Sequence, residues 1–201
     1  LKRATGNFVA EITGAEAGLI CSGAAGGLVL ATAAVMTGTD RAKITQLPDS
    51  SGMKNEILTQ ATNPAGYLKC HEYAGAKLVF TGDETGTTKN EFSSAVNDRT
   101  AAILFTFAYG PPVPGLTLPE VVEIARSSGV PVIVDGAAML PPKTNLTKYI
   151  REGADLEKKL IKVKKKMDRI LIKWVKQNLK LEKTRWKTKT KTVIQQKIKC
   201  E

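Results

Sequence analysis

Apolar runs of two kinds alternate along this chain. Short runs of β-branched and aliphatic residues at 56–60, 77–81, 101–108 and 130–135 read as strands, and segments 4–13, 28–36, 64–75, 91–96 and 118–128 read as helices. Two further short strands are expected, at 16–21 and 43–47, with polar turns at 48–52 and 82–88. In the last strand Val130, Val132, Ile133 and Val134 leave no polar alternation, which suits a strand covered on both faces. Strands alternating with helices give an α/β fold, a mostly parallel sheet with helices on both faces.

The last strand ends abruptly at Asp135, before Gly136, Ala137 and Ala138. Ligands of open α/β sheets collect at the carboxyl ends of strands, so Asp135 stands where an anionic partner for a cofactor belongs; capping the next turn is the plainer role. A second candidate is the small-residue turn Ser22, Gly23, Ala24, Ala25, Gly26, Gly27, which feeds the apolar helix at 28–36. Such a turn either presents unpaired N–H groups and the positive end of a helix dipole to a phosphate, or is a tight helix start where only small residues fit. His71, the only histidine, reads as a partly exposed helix residue rather than a catalytic base.

Charge divides the chain. Residues 1–156 carry 13 Lys and Arg against 15 Asp and Glu, net −2, whereas residues 157–201 carry 17 against 4, net +13. Two parts are therefore expected: an α/β part over 1–156 and a Lys-rich tail over 157–201, helical or disordered. Leu160, Val163, Met167, Ile170, Leu171, Trp174 and Leu179 recur in the tail at helical spacing among lysines. Such a segment is suited to nucleic acid or an anionic membrane, yet an abrupt shift to Lys, Ile and Thr is also what out-of-frame translation produces. Cys21, Cys70 and Cys200 are odd in number and widely separated, which points to neither a disulfide framework nor a metal site and favours a cytoplasmic setting. The uncharged stretch 17–39 is interrupted by glycines, so no transmembrane segment is expected.

Taken together, Thr13-Gly-Ala-Glu-Ala17, Cys21-Ser-Gly-Ala-Ala25, Leu47-Pro-Asp-Ser-Ser-Gly-Met-Lys-Asn-Glu56, Gly75-Ala-Lys-Leu-Val79 and Pro131-Val-Ile-Val-Asp-Gly-Ala-Ala138 resemble the selenocysteine-synthase-like family of pyridoxal-phosphate enzymes, which holds selenium transferases and sugar-acid ammonia-lyases. The resemblance runs from about residue 3 to Leu156. It implies part of a fold type I large domain, of the aspartate aminotransferase kind, and a homo-oligomer in intact relatives. Pyridoxal 5'-phosphate would be held by Ser22, Gly23, Ala24 and Ala25 at its phosphate, by Asp135 at the ring nitrogen and by Ala137 on one ring face, with Tyr67 as the guess for the other. Asn63 and Pro64 stand where the family has a His-Arg pair.

The implied reaction is Cα deprotonation of an amino acid or amino-sugar acid, followed by β-elimination or replacement. After Leu156 the family continues into a Gly-rich turn with the Schiff-base lysine. Here residues 157–201 contain no Gly, Ala or Pro, so no catalytic residue is assigned and an inactive, truncated lyase or transferase is expected. The alternative is a binding protein whose basic tail contacts a polyanion.

Overall fold

The computed structural model describes residues 2–21, 23–63, 67–107, 113–136, 139, 142 and 144–156. They belong to the unit Leu1–Val163, and the second unit, Lys164–Glu201, lies outside them. In chain order the elements are helices α1 (Lys2–Thr13), α2 (Ala24–Thr37) and α3 (Arg41–Gln46), strand β1 (Glu56–Gln60), α4 (Lys69–Tyr73), β2 (Lys77–Thr81), α5 (Lys89–Ala95), β3 (Thr100–Thr106), α6 (Leu118–Ser127), β4 (Val132–Asp135) and α7 (Asn145–Arg151).

All four strands are parallel, in the order β2-β1-β3-β4. Period-two alternation sorts their side chains between two apolar layers. Leu58, Ile103, Val132 and Val134 pack with Phe92 of α5, Val121 and Ala125 of α6 and Tyr149 of α7. Ile57, Ala102, Leu104 and Ile133 pack on the other face with Leu28, Ala31 and Met36 of α2 and with Cys70 and Ala74 of α4. A strand buried on both faces has no use for polar alternation, which is why the sequence shows none. β1 connects outward through α4 to β2, and β2 then connects back past β1 to β3. The order of connection therefore reverses between β1 and β3, the kind of crevice in which open α/β sheets bind ligands.

The expected strands at 56–60 and 77–81 are β1 and β2, and the expected α/β architecture is the one observed. Two expected strands are absent. Residues 43–47 lie mostly in α3, because the Asp40 carboxylate caps its N-terminus, accepting from Ala42 N at 2.9 Å and Lys43 N at 3.4 Å. Residues 16–21 form no strand among the described residues, and Leu19 and Ile20 are exposed. There Gly18 lies so close to α1 that a Cβ on it would collide with the Gly6 carbonyl and Val9. The helix expected at 64–75 is described only as α4, and the last residue of the strand expected at 101–108 lies outside the described residues.

Past α7 the backbone returns to the sheet. Asp155 N and Leu156 N both donate to the Val132 carbonyl at 3.2 Å, the Asp155 carboxylate accepts from Val132 N at 3.3 Å, and Ala154 and Leu156 are buried. No helix among the described residues is long and apolar enough to cross a membrane; α2 spends the apolar stretch on the core.

Candidate cofactor site

Asp135 is the last residue of β4, opposite Thr106 of β3, and its carbonyl accepts from Phe107 N at 3.1 Å. Alternation from Ile133 places its carboxylate on the α2/α4 face, half-buried. The electrostatics agree: burial, and after it the Asp135 charge, push the Cys70 thiol of α4 above its ordinary range.

On the same face α2 begins at Gly23, whose φ of 125° suits glycine and which makes no side-chain cap. Gly27 N closes the first helical turn on the Gly23 carbonyl at 3.0 Å, while Cys21 Sγ donates to that carbonyl at 3.2 Å. No acidic residue occupies the first turn, and all fourteen residues of α2 are uncharged. The N–H groups of Ala24 and Ala25 stand at this open end with the positive pole of the helix, a natural seat for a dianion. Ser22 and Ala137 lie outside the described residues; Tyr67 is 55% exposed.

Around the β1/β3 crevice the chain places polar groups of which sequence reading singled out Asn63 but not Thr59 or Gln60. Asn63 Nδ2 donates to Thr59 Oγ1 at 2.6 Å and to the Leu104 carbonyl at 3.3 Å, while Thr59 Oγ1 donates to that carbonyl at 3.1 Å. Asn63 is thus buried, only 6% exposed, and committed to the sheet, so it does not stack on a ring. Gln60, 3% exposed, clamps the loop before α6 with both ends of its amide: Leu116 N donates to Oε1 at 2.5 Å and Nε2 donates to the Leu116 carbonyl at 3.1 Å. The signal that could have found these residues is a polar pair, Thr59 and Gln60, closing an otherwise apolar strand.

His71 departs from expectation. It is 1% exposed rather than partly exposed, because α4 packs against α2 and the ring turns inward to meet Thr32.

These residues fit pyridoxal phosphate: an uncapped, acid-free helix N-terminus for its phosphate and a half-buried carboxylate at a strand tip, on one face, for its ring nitrogen. Comparison with known proteins agrees. A curated relative, 5'-C-glycyluridine monooxygenase-decarboxylase of a Streptomyces species, is 36% identical over 163 residues, 78% of this chain and 40% of the relative. D-glucosaminate-6-phosphate ammonia lyase of Salmonella typhimurium is 33% identical over 157 residues, covering 76% and 42%. The chain thus spans about 40% of the length of these relatives. A solved D-glucosaminate-6-phosphate ammonia-lyase superposes with a TM-score of 0.71 at 32% identity, covering 77% of this chain and 42% of that one. A putative O-acetylhomoserine (thiol)-lyase of Campylobacter jejuni shares the fold at a TM-score of 0.51 and 13% identity, covering 77% and 34%. The expected pyridoxal-phosphate class and fold stand, without support for the narrower selenocysteine-synthase-like assignment. Residues 9–157 match the model of the DegT/DnrJ/EryC1/StrS aminotransferase family, and it is to this family of pyridoxal-phosphate enzymes that the chain belongs.

Proposed function

We propose that residues 1–156 are the cofactor-anchoring part of a pyridoxal-phosphate lyase or transferase acting on an amino acid or amino-sugar acid. The observation that carries this is Asp135 at the tip of β4, on the sheet face that α2 covers, together with the uncapped, uncharged N-terminus of that helix. When bound, the cofactor supplies an electron sink that stabilises negative charge at the substrate Cα, which permits β-elimination or β-replacement.

The chain's own residues supply binding and electrostatics. Ser22, Gly23, Ala24 and Ala25 would hold the phosphate, and the Asp135 carboxylate would keep a proton on the ring nitrogen; Ala137 and Tyr67 are the candidates for the ring faces. Residues 157–201 offer no lysine in a Gly-rich turn, so we further propose that this chain holds the cofactor without a covalent link and does not turn over. Kinship with an ammonia lyase supports a substrate bearing both an amine and a β-hydroxyl.

The test is fluorescence titration with pyridoxal phosphate and with pyridoxamine 5'-phosphate, followed by borohydride reduction and peptide mapping. Both ligands should bind, Asp135→Ala should weaken both, and no lysine should carry the reduced cofactor. Failure of both to bind at neutral pH would sink the cofactor reading, and a lysine fixed to the cofactor would sink the non-covalent one.

A further inference from the structure

Thr32 is a buried hydroxyl in the middle of α2, and it meets the only histidine in the chain. Thr32 Oγ1 donates to the Leu28 carbonyl at 2.8 Å and lies 2.7 Å from His71 Nδ1. A hydroxyl has one proton to give. With that proton on Leu28, the oxygen accepts from His71, and the imidazole is neutral with its hydrogen on Nδ1. Nε2 is then a bare acceptor, buried and without a hydrogen-bond partner among the described residues.

A second ring proton would place an N–H where none of the described groups accepts it, and Asp135, the carboxylate of β4 on this face, acts on Cys70 but is not among the influences on His71. α2 carries no charged residue. On α4, Lys69 and Glu72 pair with each other at the surface at 2.8 Å, Cys70 is held as the neutral thiol and Tyr73 is exposed. On β2, which also packs against α4, Lys77 is exposed. Burial alone lowers His71 to about 4. To take a proton readily, the ring must leave α2.

We propose that the His71–Thr32 contact is a positioning link that couples α4 to α2, so that a phosphate seated at the N-terminus of α2 and a proton on His71 oppose each other. This rests on the cofactor reading above. α2 is a single helix of fourteen residues, and Thr32 lies about two turns from the open end, so fixing that end fixes the surface against which His71 packs. Protonation that frees α4 lets α2 shift from under the phosphate. The coupling is reciprocal, so bound phosphate must make His71 harder to protonate. The direct field of a dianion acts with the opposite sign, since negative charge favours the imidazolium.

Because the chain has one histidine, its ring signals in NMR report this group alone. The full chain is titrated with and without saturating pyridoxamine 5'-phosphate, which carries the phosphate and no aldehyde. The histidine should show the Nδ1–H tautomer, and its pKa should fall on binding by about half a unit or more, a roughly threefold loss of probe affinity on protonation. In Thr32→Val the ligand-dependent shift should vanish. A pKa unchanged or raised by the probe, or an Nε2–H tautomer, overturns the proposal. If the fold is lost before the ring titrates, probe affinity at pH 7 decides: Thr32→Val, which breaks the contact and unties α4 from α2, should lower it roughly threefold, and an unchanged affinity overturns the proposal. A probe that fails to bind at pH 7.5 removes the cofactor reading, and this coupling with it, whereas binding without coupling leaves that reading standing.

Discussion

Gln60 sits at the carboxyl end of β1 and is paired through both amide atoms to the backbone of Leu116, which is 9% exposed. The orientation of the amide is forced, because Leu116 N can only donate and its carbonyl can only accept. Replacing Gln60 with Met keeps the volume and removes both bonds, leaving two buried backbone groups unpaired at about 1–3 kcal/mol each. The expected loss is about 2–6 kcal/mol, a large share of the roughly 5–15 kcal/mol that holds a domain folded. Gln60→Glu separates hydrogen bonding from shape. At pH 7 a carboxylate still accepts from Leu116 N but turns its second oxygen on the Leu116 carbonyl, and burial raises its folded pKa above the usual range. A carboxyl whose folded pKa is raised binds protons more readily folded than unfolded, so its deficit grows as pH rises through that pKa and shrinks toward pH 5, where the protonated acid can donate to the carbonyl. The assay is urea unfolding followed by far-UV circular dichroism, each variant compared with the wild type at pH 7 and pH 5. Gln60→Glu should be destabilised at pH 7 and regain much of that loss at pH 5. A deficit equal at both pH values, or none at pH 7, would refute the clamp.

Three further outcomes follow from single contacts. His71 is the only histidine and its folded pKa of about 4 lies below the unfolded 6.5, so the unfolded chain takes the proton first and stability falls with pH. The loss between pH 7 and pH 5 is about 2 kcal/mol, and His71→Asn should flatten the wild-type profile over that range. Thr88→Ala opens the capping box of α5, in which Glu91 N donates to Thr88 Oγ1 at 3.2 Å and Thr88 N donates to the Glu91 carboxylate at 2.8 Å; thermal melts should show a loss of about 1 kcal/mol. Gly75→Ala should cost clearly more than Gly129→Ala, since both have positive φ but only at Gly75 would a Cβ strike a backbone carbonyl, that of Pro48; equal denaturation midpoints would contradict the packing at that turn.

The sequence was most legible where one local rule acted alone. β1 and β2 could be bounded because each is a five-residue run closed by turn residues, and α6 because its apolar period runs unbroken from Leu118; the structure adds a capping box at its start, Thr117 N donating to the Glu120 carboxylate at 2.9 Å. Errors arose where two rules competed. Ile44 and Thr45 favour a strand, but Asp40 sits where it can cap a helix and its hydrogen bonds decide the matter for α3. α7 went unrecognised because its seven residues are too few to show a period; its place is set by Tyr149, whose ring packs 4.3 Å from that of Phe107.

The same distinction governs the site. The position of Asp135 could be read directly, since a carboxylate closing a wholly apolar run marks the end of the strand, which is where β4 stops. Gln60, Asn63 and His71 could not, because each is a polar residue whose role depends on a partner 39 to 56 positions away: His71 on Thr32, Asn63 on the Leu104 carbonyl, Gln60 on Leu116. Local pattern marks where a chain spends its apolar surface, while the partners of buried polar groups are fixed only when the sheet order brings them together. Under the coupling proposed above, the His71–Thr32 pair would carry the site's response to pH and ligand. Asp135 and α2 offer charge and dipole, but Thr32 and His71 join α2 to α4, and Gln60 joins β1 to the loop before α6. A substitution that spares the cofactor contacts can therefore still change how cofactor binding responds to pH, and one at Asp135 should leave the histidine link intact.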